Sequence, residues 1–280
     1  MTMRTRPLRI AACAVPGLLA LLAACSSKPP QPDWQVNASD ALQRSLAAYL
    51  SGDARIEAQE FAKARSEVAR TGRADLLART ELARCASRTA SLVVEECSAF
   101  EALRPDAAPP ELAYADYLAG RVRPQDVALL PEQHRATATA LAAAPPTALA
   151  ATGAASVAAT TATATATTTT TASASAAPLP YAADPLARLV AAGALFRAGR
   201  ASPTLIASAI DTASSQGWRR PLLAWLNVQL EVARQAGDSA TEALARRRIA
   251  IVLGPAASAS AASAASAANA ANAANAARKP

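Results

Sequence analysis

Glycine punctuation is the feature that most constrains this chain. Gly52, Gly72, Gly120, Gly199, Gly217, Gly237 and Gly254 each follow a stretch whose apolar residues recur at helical spacing. A glycine just past a helix accepts the left-handed backbone that closes it, so regular glycines cut a chain into short helices. Short helices joined by tight turns pack antiparallel. No segment alternates apolar and polar residues for long enough to make a sheet. The expectation is an all-α fold of antiparallel helical hairpins.

The helices follow in order. Leu42, Leu46, Tyr49 and Leu50 share one face of a helix from Asn37. Gly52 ends it, and Asp53 caps the next. Ala58, Phe61, Ala62, Val68 and Ala69 line that second helix, which stops at Gly72. A third starts near Asp75 and carries Leu82 and Cys85. A fourth carries Val93, Cys97 and Phe100 as far as Arg104-Pro105. Pro109-Pro110 opens a helix over 111–119, and another follows Pro124. Past a long gap, Leu186, Leu189, Val190, Gly193 and Phe196 form a stripe. Ser202-Pro203 begins a helix with a cap and then proline at the first helical position. Leu222, Trp225, Leu226, Val228, Leu230 and Val232 belong to the next. Ser239-Ala-Thr-Glu242 has the spacing of a capping box and opens the last.

The 52% hydrophobic content overstates the core, because alanine supplies most of it and aromatics are only 4%. Core-building residues fall in two helical blocks, 37–135 and 184–254. Between them, 136–183 is Ala, Thr, Ser and Pro without a charge, including the run Thr167–Thr171. Such composition does not offset its ordering entropy, so it reads as a disordered linker, and it also suits an O-glycosylated stalk. Residues 255–280 repeat Ala-Ala-Ser and Ala-Ala-Asn with no apolar face, and read as a disordered tail.

The first 25 residues carry a different message. Arg4, Arg6 and Arg9 precede an uncharged, mostly apolar stretch from Ile10 to Ala24. That is too short to span a bilayer, which takes ~20 residues, and fits the core of a secretory signal over 1–24. The stretch ends Leu22-Ala23-Ala24-Cys25, which resembles a bacterial lipobox. The resemblance implies a lipoprotein: cleavage before Cys25, acylation of its thiol and new amine, and a Ser/Pro-rich tether over 25–36. Ser26, where an aspartate commonly retains such proteins at the inner membrane, implies sorting to the outer membrane. Several acyl chains hold a membrane stably where one does not. Loss of the leader lowers the formal charge from +7 to about +4. With no basic stripe of interleaved aromatics, nucleic acid is not an expected partner.

Two of the 4 cysteines remain in the body, Cys85 and Cys97. On one continuous helix they would stand ~18 Å apart, too far to bridge. If two helices pair antiparallel around Thr89–Ser91 they lie nearly opposite, and an exported chain meets an oxidising compartment. A disulfide is expected. A metal pair lacks further ligands.

Gly52-Asp53-x-x-x-Glu57-Ala58 matches Gly237-Asp238-x-x-x-Glu242-Ala243. This pattern resembles the turn of a tetratricopeptide repeat, with the Glu-Ala pair one residue late. A generic helical bundle using Gly to leave and Asp to cap fits equally. Candidate chemistry is thin. His134 reads as a surface histidine beside Glu132 and Arg135. Glu95 and Glu96 point to different faces. Arg246-Arg247-Arg248 suits a solvated face, lipid headgroups or an acidic partner. Trp218 and Trp225 suit core packing or a peptide groove. No catalytic residue, metal ligand or cofactor is expected, and the chain reads as not an enzyme. The expected role is a scaffold or adaptor for a periplasmic protein at the outer membrane, lipid-anchored through Cys25. The alternatives are an envelope enzyme or activator with a site between the blocks, and a passive surface spacer or antigen.

Overall fold

All seven glycines expected to stop helices adopt positive φ, from 65° at Gly72 to 97° at Gly52. The computed structural model describes residues 31–143 and 184–254. Its α-helices run α1 Asp33–Ser51, α2 Ala54–Ala69, α3 Ala74–Ala90, α4 Ser98–Glu101, α5 Pro109–Leu118 and α6 Glu132–Ala142. They continue as α7 Pro185–Arg197, α8 Pro203–Ser215, α9 Arg219–Ala236 and α10 Ser239–Leu253. Two 3-10 turns, Arg104–Asp106 and Pro124–Leu129, complete them. Among the described residues there is no strand, and the fold is all-α. The expected leader 1–24, Cys25, the part of the expected linker beyond residue 143 and the expected tail 255–280 lie outside the described residues.

The two Gly-Asp turns are built alike. Gly52 donates its N–H to the Ala48 and Tyr49 carbonyls, and the Asp53 carboxylate accepts from the Ile56 N–H at 3.0 Å. Gly237, at φ 69°, donates to the Arg234 carbonyl, and Asp238 accepts from the Thr241 N–H at 3.0 Å. The glycine satisfies carbonyls left over at one helix end, and the aspartate satisfies an amide left over at the next start. This corrects the expected capping box. Asp238, not Ser239, caps α10, because the left-handed Gly237 places the aspartate first outside the helix. Glu242 turns instead to Arg234 and Arg246.

Three further expectations change. Residues 93–97 leave α3 without helix, and α4 is one turn only. Here a leucine performs the glycine's task. Leu92 sits at φ 57°, with its N–H on the Thr89 carbonyl and that of Val93 on Arg88. The buried face of α2 is Glu57, Phe61, Ala64 and Val68, whereas Ala58, Ala62 and Ala69 are exposed. Alanine favours helix on any face, so it marks no side. Finally, α6 continues to Ala142 and buries Ala138 and Leu141. Helix therefore runs seven residues past the expected boundary at 135. Those residues bury little each, yet they extend a helix already anchored at His134.

The two blocks share one hydrophobic core. At its centre α3 packs on α1, α2 and α5 from its own block and on α7 from the other. The α3–α7 approach is backbone-close at Gly193, where a methyl group would stand 2.2 Å from the Thr89 carbonyl oxygen. Trp225 of α9, 0% exposed, donates its indole N–H to the Ala90 carbonyl at 3.1 Å. That carbonyl is an orphan of the last turn of α3, so the tryptophan both fills the core and completes a helix end. Phe196 meets its ring edge-on at 5.9 Å.

Candidate functional site

Cys85 and Cys97 form a disulfide across the α3 exit, with Cα atoms 6.0 Å apart. Their approach comes from the reversal at Leu92, not from two paired helices. The bridge pins Cys97 and the following Phe100, which is 0% exposed, against the core.

Three buried carboxylates tie helices together. Glu57 accepts from Arg84 at 2.7 Å, Glu81 from Arg65 at 2.9 Å, and Glu111 from Arg79 at 2.8 Å. Arg88 reaches Glu57 at 4.0 Å and Glu95 at 2.8 Å. Arg84 also covers the Phe61 ring, and Arg88 and Arg220 pack on Tyr49 at 5.4 and 4.3 Å. A buried carboxylate with an arginine from the next helix fixes register between helices. The Glu-Ala half of the first repeat-like pattern thus contributes Glu57 as an inter-helix tie. The matching Glu242 is an exposed-edge partner of Arg234 and Arg246.

His134 is not at the surface. It is 3% exposed, enclosed by Tyr114 and Tyr117 with ring centroids at 5.4 and 5.0 Å. Sequence context misled here: Glu132, Gln133 and Arg135 face outward while the third residue of α6 faces the core. Burial pushes its imidazole pKa down to about 4, against a small opposing pull from Asp184. The Tyr114 hydroxyl lies 3.5 Å from Nε2, while Nδ1 has no hydrogen-bond partner among the described residues. Burial raises both phenols far above their ordinary range. This is a neutral imidazole packed as a ring. A general base must reach a substrate proton, and this one is shut away from solvent.

The other candidates separate. Glu95 is exposed and paired with Arg88. Trp225 is core, and Trp218 stands half-buried just ahead of α9. Among the described residues, no group of three or more His, Cys, Asp or Glu could hold a metal ion. Among them too, no helix is long and apolar enough to cross a membrane.

An open apolar groove of about 360 Å³ lies where α8, α9 and α10 meet. Its walls are Ile206 and Pro203 of α8, Val232, Ala233 and Ala236 of α9, and Thr241 of α10. Val232 is 39% exposed there. The groove forms where α8 and α10 both pack on α9 beside the Gly237-Asp238 turn. Small alanines on α9 leave the space open. Its chemistry is that of a surface accepting an apolar side chain, with Asp238 and Gln229 at the rim. Sequence reading assigned Val232 to a helix but could not place it in a groove, since three separate helices define it. No protein-family model, no curated protein and no solved structure matches this chain.

Proposed function

We propose that this chain is an exported bacterial lipoprotein, acylated at Cys25 and held at the outer membrane, whose helical body is a scaffold or adaptor for a periplasmic protein. The observation that carries the reading is the leader: three arginines, an uncharged apolar run, then Leu22-Ala23-Ala24-Cys25. The Cys85–Cys97 disulfide accords with an oxidising compartment. The paired Gly52-Asp53 and Gly237-Asp238 hairpins support a degenerate tetratricopeptide-like repeat, an architecture whose stacked helices offer binding surfaces. The α8–α10 groove is the surface best suited to take an apolar side chain of the partner.

Two measurements test this. Radiolabelled palmitate is expected in the wild-type chain and lost in Cys25→Ser; label persisting in the variant refutes the anchor. A photo-crosslinking residue at Val232 in envelope-bound protein is expected to trap one stoichiometric partner. Crosslinks absent at Val232 while label at Cys25 persists refute the adaptor and keep the lipoprotein.

A further inference from the structure

The last helix carries an outward face that the core does not use. α10 packs through Ala245, 0% exposed, with Ile249 and Val252 beside it. About 120° around the helix from that packed edge, Leu244 is 48% exposed and Ile251 is 79% exposed. Leu244 and Ile251 are seven residues apart, so they stand within about 20° of each other around the helix, two turns along one line. Arg247 and Arg248 then fall about 50° to either side of that line. Arg246 is paired with Glu242 at 2.5 Å, but no carboxylate among the described residues pairs with Arg247 or Arg248. The outward arc otherwise holds alanines, Ala240, Ala243 and Ala250, and no acid. Arg278 and Lys279 add two further cations to the chain beyond this helix.

We infer that this face of α10 docks on an anionic phospholipid surface. An apolar line flanked by arginines on both sides matches the boundary between acyl chains and headgroups. The two large side chains enter the apolar layer while the guanidinium groups meet phosphates. Charge favours this occupant over a second copy, since pairing two such faces would bring four unpaired arginines together. It is a surface distinct from the α8–α10 groove, which neither Leu244 nor Ile251 lines. The inference does not rest on acylation of Cys25.

The test uses the chain from Ser26 to Pro280, which contains every described residue and carries neither leader nor lipid. It is co-sedimented with vesicles of phosphatidylcholine containing phosphatidylglycerol, and with vesicles of phosphatidylcholine alone. Binding is expected only to the anionic vesicles and is expected to fall with added salt. Arg247→Gln with Arg248→Gln is expected to weaken it about 30-fold. Leu244→Ser with Ile251→Ser is expected to weaken it further at high salt, where the apolar contribution dominates. Arg55→Gln with Lys63→Gln, on the exposed side of α2, is expected to leave it unchanged. Equal binding to both vesicle types, no binding to either, or an equal loss in the α2 variant would overturn the inference. So would retention of an acidic protein by α10 without vesicle binding.

Discussion

Replacing Gly193 by alanine is expected to destabilise this protein, although the same change in an ordinary helix stabilises. In an exposed helix interior, alanine is better than glycine by about 1 kcal/mol. Gly193 lies inside α7 with ordinary helical backbone, so that gain applies in full. Against it stands the packing. An ideal Cβ would lie 2.2 Å from the Thr89 carbonyl oxygen, 2.8 Å from its carbon and 2.9 Å from its Cγ2. The oxygen and carbon belong to the backbone of the last turn of α3 and cannot rotate away. Relief requires α3 and α7 to separate by about 1 Å, a gap that forfeits a quarter to a half of each contact's dispersion attraction. Overpacking of this kind costs about 1–3 kcal/mol, and here it loosens the seam joining the two blocks. The net expectation is a loss of up to about 2 kcal/mol, lowering the midpoint by up to about 5 °C for a fold of this size. Thermal and urea unfolding followed by circular dichroism at 222 nm read it directly. Gly193→Ser should cost more than Gly193→Ala. A midpoint that rises in Gly193→Ala would show that helix propensity outweighs the close approach, and the account of the seam would be wrong.

Three other outcomes are expected. Trp225→Phe, which keeps a large ring but leaves the Ala90 carbonyl without its donor, should cost about 1–3 kcal/mol in urea unfolding; an unchanged midpoint would show that water replaces the indole. Reduction of Cys85–Cys97, or Cys97→Ser, should lower stability by about 3 kcal/mol for a loop of this length, seen as a lower midpoint under reducing agent. His134 should impose an acid-side slope. The unfolded imidazole takes its proton near 6.5 and the buried one only at about 4. Between those values the unfolded state therefore binds more protons, and stability falls as pH falls. The loss between pH 6.5 and about pH 5 is about 2 kcal/mol, and because the chain has 1 histidine, His134→Phe should abolish that slope.

Local signals were legible where one residue type carries the cause. Gly52 and Gly237 close helices, and Asp53 and Ser202 open them, because each acts on backbone groups within a few residues. Alanine-rich stretches were the weak point. Ala58 and Ala62 carry as much apolar character as Ala64, yet only Ala64 faces inward. The same ambiguity hid the continuation of α6 through Ala138 and Leu141. His134 was misplaced for a related reason: its polar neighbours describe their own exposure, not that of the residue between them. The groove was invisible because Ile206, Val232 and Thr241 lie on three helices.

The sequence by itself determined that the chain is helical and where most helices stop. These are decided by backbone conformations and hydrogen bonds within a turn. The tertiary structure alone decided that both blocks share one core, that Trp225 completes α3, and that Gly193 is a packing residue and not a stop. It also decided which alanines and which arginines face outward. Those properties depend on what lies across an interface, and a side chain's neighbours more than a hundred residues away leave no periodic trace in its own segment.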